Sequence, residues 1–321
     1  MNVTSSVLSA FINLAGSNAI PQSFIGPLCS IIHDNNAIVH LFVLNNDENV
    51  KLIKTMQDTK NLIANGLSYV IERKDKSNEP TTRCWLIPTT PETKVPARIA
   101  LLLQAAAHTA KAEPHPYFTL SNFDVSYAAV INGVVKEVVW SSDEEYAIHE
   151  QVDLDAMPAH DSHPVGHVWA DPKTLDVYVM DTIKENDAQR LLELATVDYD
   201  PEYIAFLANH AVLSQFTRVV RLQKTGQVLS SCVIHRDFSL GMVSTDPDYL
   251  RRGLANQAVF ATLDALHAYI RSQQEKIPGF LRYRPYSLIK VDNEPSVRMM
   301  GKFGFQAAFD APLVKWIGVV V

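Results

Sequence analysis

The sequence predicts a mixed α/β protein built on a mixed sheet, and three observations predict it. Compact apolar runs of strand character alternate with segments whose apolar residues recur at helical spacing. The 321 residues suggest two domains of ordinary size, and 47% hydrophobic residues provide for buried cores. From about Ser141 to Pro172 the periodicity fails in an acidic, Pro-bearing stretch. That stretch reads as a connection. Residues 1–172 then form a first domain, with 141–172 as its connecting segment, and residues 173–321 form a second.

In chain order, "AIVHLFVL" (Ala37–Leu44) is an apolar run bounded by Asn and Asp and reads as a buried strand. Val50, Ile53, Met56, Leu62 and Ile63 have helical spacing, with Gly66 as a stop. "SYVIER" and "RCWLIP" read as paired strands, and "PARIALLLQAAAHTAKA" as a helix with Pro96 near its start. "FDVSYAAVINGVVKEVVW" reads as a hairpin turning at Asn132-Gly133. In the second half "LDVYVM" is a strand. Asp181 or Thr182 caps a helix through "KENDAQRLLELA", and "DPEYIAFLANHAVL" is a helix opened by Pro201. "TRVVRL", "VLSSCVIHR" and "FSLGMVS" are strands. A long helix covers about Leu254 to Gln273, with Ala255, Val259, Leu263, Leu266 and Ile270 on one stripe. "YSLIKV" is a strand, "EPSVRMMGKF" a short helix, and "FQAAF" and "LVKWIGVVV" are strand-like.

A net charge of -7 argues against a broad basic footprint for nucleic acid or anionic membrane. Cys29, Cys84 and Cys232 are widely spaced, which fits a reduced protein with neither a disulfide framework nor a zinc site. No apolar run reaches the length of a membrane span. The first Lys or Arg is Lys51, against a secretory or mitochondrial leader, so a cytoplasmic location is expected. His149, His160, His163 and His167 lie among aspartates without the spacing of a metal-ligand set. They read as solvated histidines, and no metal is expected.

The join "STDPDYLRRGLANQAV" (Ser244–Val259) bears the chemistry. A strand hands over to a long helix through a turn holding Arg251, Arg252 and Gly253. A helix N-terminus offers unpaired N–H groups and the positive end of the helix dipole, an anion site. Gly253 lets backbone approach a ligand, Ala255 keeps the next turn small, and the arginines add charge for phosphate. Neither a Walker loop nor a Rossmann turn occurs.

The order of elements resembles the GNAT superfamily of acyl-CoA-dependent N-acyltransferases. Its pyrophosphate loop reads Arg/Gln-x-x-Gly-x-Gly/Ala. Leu250-Arg251-Arg252-Gly253-Leu254-Ala255 keeps the Gly and the Ala and has Leu at the first position. "VDNEPSVRMMGKFGF" is similar to a second family signature, with Asn293, Ser296, Gly304 and Phe305 at matching spacing. "TDPDYLRRGLANQAV" resembles glycine N-acyltransferase-like proteins, whose first half is a degenerate copy of the same fold. The resemblance implies a GNAT-like second domain behind a mixed α/β, degenerate GNAT-like first domain. It implies acyl-CoA as co-substrate, held by Met242, Val243, Ser244, Arg251, Arg252, Gly253, Leu254, Ala255, Asn256, Asn293 and Ser296. It implies acyl transfer to glycine or another small amine, with Gly241 or Met242 giving an N–H to the oxyanion.

The base falls to His235 or Asp237 at the hairpin before "FSLGMVS". Where the resembled family has a Glu, this chain has Ser239. Where many members have a tyrosine acid, seven residues after Asn293, it has Met300. Two alternatives stay open: a non-catalytic acyl-CoA-binding or regulatory protein of the same fold, and a protein N-terminal acetyltransferase.

Overall fold

The computed structural model describes residues 7, 10, 11, 22–31, 37–44, 50–53, 66–73, 81–88, 95–110, 118–152, 163–197, 199–274, 283–308 and 313–320. The first half contains helix α1 (Gln22–Ile31) and strands β1 (Ala37–Leu44), β2 (Val50–Ile53), β3 (Gly66–Arg73) and β4 (Thr81–Pro88). Helix α2 (Val95–Ala110), β5 (Phe118–Asp124), α3 (Ala128–Val134), β6 (Glu137–Ser141) and β7 (Tyr146–Gln151) follow. Then come β8 (Val168–Ala170), β9 (Val177–Asp181), α4 (Ala188–Leu194), α5 (Pro201–Asn209), β10 (Arg218–Leu222), β11 (Val228–Ile234) and β12 (Ser239–Thr245). The remainder is α6 (Leu254–Gln274), β13 (Tyr286–Lys290), α7 (Glu294–Gly301), β14 (Phe305–Ala307) and β15 (Val314–Val320).

The strands make one mixed sheet, in the order β2-β1-β3-β4-β5-β15-β7-β13-β12-β11-β10-β9-β8, with β14 on β7 and β6 on β15. The fold is therefore mixed α/β, as the alternation of periodicities predicts. Its two halves repeat one arrangement. A strand (β4, β12) leads through a long helix (α2, α6) to a parallel neighbour (β5, β13), followed by a short helix (α3, α7). Helix α2 buries Ile99, Leu102, Leu103 and Ala106, a stripe at helical spacing, against β1, β3 and β4. Helix α6 buries Leu254, Ala258, Val259, Leu263, Leu266 and Ile270 and lies on β10, β11 and β12.

Several expectations are corrected. Val50–Ile53 is a strand rather than the start of a helix, because it returns along β1 with Leu41 opposite Ile53. Residues 54–65 of that expected helix lie outside the described residues, and Gly66 opens β3 rather than stopping a helix. Asn132-Gly133 is not a hairpin turn. Both sit in α3, whose Ile131 is buried with the apolar face of α2. The stretch read as irregular holds β7 and β8. There the helix-and-strand patterns fail to show because the inward positions are partly polar. His149 and Gln151 are buried beside Ile148, and Gln151 donates to the Phe303 carbonyl (2.9 Å) and contacts His267 Nε2 (2.7 Å). His160 lies outside the described residues. Neither Asp181 nor Thr182 caps the next helix. Asp181 pairs with Arg221 (2.7 Å), and Lys184 and Asp187 cap the turn that opens α4.

Helix α1 ties the halves together. Phe24 accepts from Tyr69 through its carbonyl (2.7 Å), and the side chain of Gln22 accepts from the Arg284 N–H (2.9 Å). Gly26 comes so close to the second half that an added Cβ would lie 2.3 Å from the Asp237 carbonyl oxygen. No helix among the described residues is long and apolar enough to cross a membrane. All three cysteines are buried and free, and burial pushes the Cys84 and Cys232 thiols up to about 12.

Candidate active site

The parallel pairing of β12 with β13 is confined to Ser239↔Tyr286 and Leu240↔Ser287. Beyond that point Gly241–Thr245 of β12 and Ser287–Lys290 of β13 line opposite sides of one cavity of about 1550 Å³. On its other side β12 pairs with β11, where the register slips between Ser231 and Val233. Met242 stands at this bulge with φ 46°. A bulge leaves a residue outside the ladder and re-aims its backbone groups, here beside the fork of two strands. The Ser231 hydroxyl holds the bulge by donating to the Met242 carbonyl (2.8 Å). Gly241, Met242, Val243 and Ser244 thus come together on the wall of the fork.

His235 enters the same cavity from the β11–β12 turn, which is closed by Phe238 N–H onto the His235 carbonyl (2.9 Å). The imidazole stacks with Tyr199 (centroids 5.5 Å) and Tyr203 (5.9 Å), and Nδ1 meets the Tyr203 hydroxyl at 2.9 Å. Its Nε2 lies against Gly241, 2.2 Å from where a Cβ would stand. Burial holds the His235 pKa below its ordinary value; the Asp237 carboxylate opposes this and the Arg83 cation reinforces it. His235 is therefore neutral near pH 7. Asp237 is engaged otherwise: Oδ1 accepts from the Ser239 N–H (3.0 Å) and the Ser239 hydroxyl (2.5 Å), a local cap on the start of β12. Burial also pushes the Tyr203 phenol up to about 12, so it stays protonated. Met300 is buried and lines the cavity.

The join at Ser244–Val259 folds as a strand, a short turn and a helix. Asp246 caps the turn through the Asp248 N–H (2.9 Å) and pairs with Arg190. Arg251 (φ 62°) and Gly253 (φ 80°) both take left-handed backbone, and a Cβ on Gly253 would meet nothing within 4 Å. Arg251, Gly253, Leu254, Ala255 and Asn256 line a second, open cavity of about 320 Å³ at the start of α6. Arg252 points elsewhere. It pairs with Asp176 (2.9 Å), donates to the Asp248 carbonyl (3.1 Å) and lies over the Tyr249 ring. Asn293 caps α7 by accepting from the Ser296 N–H (3.2 Å), and both line the large cavity. Among the described residues no His, Cys, Asp and Glu gather as a metal-holding group. His163 and His167 stack on each other (4.2 Å), with His163 on Trp169 (4.8 Å).

The sequence did not point to Tyr199, Tyr203 or Arg83. The tyrosines flank Asp200, the cap of α5, where "YDPEY" reads as a helix start. Arg83 comes from β4 and lines the large cavity with Thr119, its partner on β5.

No family model matches the chain, and no curated protein matches it. A solved Drosophila protein is 14% identical over 79% of this chain and 74% of that chain, with a TM-score of 0.53. A GCN5-related N-acetyltransferase from Sphaerobacter thermophilus is 9% identical over 82% and 83%, with a TM-score of 0.40. A GCN5-related N-acetyltransferase-like protein from Streptococcus suis is 14% identical over 78% and 83%, with a TM-score of 0.34. At these identities the likeness is one of fold: the chain shares its mixed α/β architecture with the Drosophila protein, and GNAT acetyltransferases are among the structures that resemble it more loosely.

Proposed function

We propose that the chain is an acyl-CoA-dependent N-acyltransferase that moves an acyl group from the thioester to glycine or another small amine. The observation that carries this reading is the meeting of His235 Nε2 with Gly241 at the fork of β12 and β13. A neutral base and a bulged backbone face one cavity there. The cradle at Arg251–Asn256 opens beside it, with Leu250 and Thr245 lining both cavities.

The residues present suit the thioester. The left-handed turn at Gly253 and the N-terminus of α6 present backbone N–H groups to a pyrophosphate. Arg251 lines that cradle, whereas Arg252 is engaged with Asp176. Asn293 and Ser296 border the path of the thiol arm, and N–H groups of Gly241 or Met242 receive the oxyanion. His235 takes the amine proton on Nε2 when Nδ1–H is held by the Tyr203 oxygen. The amine nitrogen bonds to the acyl carbon, the proton passes to Nε2, and the C–S bond breaks to release the thiolate. Asp237 keeps to its structural cap.

Release of free coenzyme A, followed with a panel of acyl-CoAs and amino acids, tests the reading. His235→Ala should lower turnover by about 10²–10⁴-fold. The buried Met300 and the capped Asp237 favour a second reading, acyl-CoA binding without chemistry. Calorimetric binding of acyl-CoA with no release to any amine would select it.

A further inference from the structure

We propose that helix α1, carried by the first half of the chain, positions the base: Gly26 lets the helix seat against the Asp237 carbonyl, and that contact fixes the turn from which His235 enters the cavity. This rests on the transferase reading above, in which His235 takes the proton of the amine. Gly26 is a positioning residue, acting through the backbone of Asp237.

The sequence of α1 is a poor one for an isolated helix. "SFIGPLCS" puts Gly26 and Pro27 in its middle. An interior glycine lowers helix stability relative to alanine, and an interior proline removes one N–H from the ladder. Both residues coincide with contacts to other elements. Pro27 leaves the Ser23 carbonyl, four residues earlier, without its helical donor, and the Asn122 side chain of β5 donates to it (3.4 Å). A Cβ on Gly26 would lie 2.6 Å from a ring carbon of Tyr286 and closer still to the Asp237 carbonyl oxygen, so a side chain there would push the helix away. The helix is fastened around that seat. Tyr69 of β3 donates to the Phe24 carbonyl (2.7 Å). The Gln22 N–H donates to Glu150 Oε1 of β7 (3.1 Å), and the Gln22 side chain accepts from the Arg284 N–H (2.9 Å).

The turn that α1 meets is short and strained. The Phe238 N–H donates to the His235 carbonyl (2.9 Å), and the His235 N–H donates to the Ser239 carbonyl (2.9 Å). Phe238 takes left-handed backbone, φ 64°, which is uncommon for an aromatic residue. Such backbone persists where its surroundings over-determine it. Here Tyr286 donates to the Asp237 carbonyl (2.7 Å) and Tyr283 to the Phe238 carbonyl (2.8 Å), while α1 closes over the first of these at Gly26. The turn is coupled to the base at a single oxygen. The Tyr203 hydroxyl meets His235 Nδ1 at 2.9 Å and accepts from the Arg236 N–H (3.4 Å). A displaced turn therefore draws its own backbone from the atom that orients the imidazole, and Nε2 leaves its place beside Gly241.

The test is Gly26→Ala in the full chain, which adds the methyl group that the seat excludes. Misplacing a reacting group by an ångström lowers turnover by about 10²-fold, so kcat should fall by about that factor. Coenzyme A affinity, measured by calorimetry, should stay that of the natural protein, because the cradle on α6 is untouched. In a His235→Ala background Gly26→Ala should leave the residual rate unchanged. Tyr286→Phe keeps the ring and removes the donor to the Asp237 carbonyl, and should lower kcat about 3- to 10-fold; it stands in under the same criteria where Gly26→Ala does not fold. Nitrogen NMR of the imidazoles needs no turnover. The His235 resonances should move in either variant, while those of His267, held by Gln151 in the same half, stay in place. An unchanged kcat in the folded variant, equal losses with and without His235, or His235 resonances that move no more than those of His267 would overturn the proposal. If no amine releases coenzyme A, the transferase reading falls, and the resonances alone decide whether α1 sets the imidazole.

Discussion

Replacing Gly241 with alanine places one methyl group against the proposed base. The new Cβ would stand 2.2 Å from His235 Nε2 and 2.7 Å from Cδ2. Non-bonded carbon and nitrogen atoms need about 3.5 Å, so the imidazole must retreat by more than about 1 Å. Retreat is resisted by the 2.9 Å contact with Tyr203 and by the stacked Tyr199 ring. Overpacking of this kind costs about 1–3 kcal/mol of stability. Moving the base out of reach should cost about 10²–10⁴-fold in turnover, as deleting it would. The assay is a double-mutant cycle in steady-state coenzyme A release and in denaturant unfolding. In a His235→Ala background the methyl has room, so Gly241→Ala should then change neither rate nor stability much. Equal penalties in both backgrounds would show that the methyl acts on the backbone of β12 and not through His235, and the reasoning would fail.

Three further outcomes are expected. Because burial and Arg83 hold the His235 pKa below its ordinary value, activity should fall toward acid only below about pH 6.5, and Arg83→Met should move that limb to higher pH; a pH–rate series on both proteins checks the direction. Arg251→Ala should weaken coenzyme A binding by calorimetry, whereas Arg252→Ala, which breaks the Asp176 pair, should act on thermal stability with little loss of affinity. Gly253 sits at φ 80°, so Gly253→Val should cost about 1–2 kcal/mol of stability besides weakening coenzyme A binding, and Gly253→Asn should recover most of the stability.

The second half was more legible than the first, for physical reasons. A strand running into a basic Gly turn and a long amphipathic helix is a local pattern, and β12, the Arg251–Gly253 turn and α6 follow it. Asn293 as a cap is equally local. The failures are non-local. Val50–Ile53 fits either period, and its pairing with β1 decided the outcome. Strand β7 carries buried His149, which meets the Ala147 carbonyl, and buried Gln151, satisfied by distant partners, so its pattern was masked by polar residues. At the candidate site His235 and Gly241 were within reach of pattern reasoning, but their contact required the turn geometry. Asp237 looked as suitable as His235 until its capping role was visible. Arg83 and Tyr203 reach the cavity through packing of remote segments, which no spacing rule encodes.

Strand β15 has a consequence for how the molecule is made. It lies between β5 on one side and β6 and β7 on the other, although it follows every other described strand in the chain. During synthesis β5 must wait, one edge open, through the whole of β6–β14 before its neighbour emerges. Such long-range closure slows folding, and an open strand edge invites pairing with other chains. The nascent first half is therefore the stage most in need of protection from aggregation. Crowding with other nascent chains should lower the yield more steeply than any loss of stability in the finished fold would suggest.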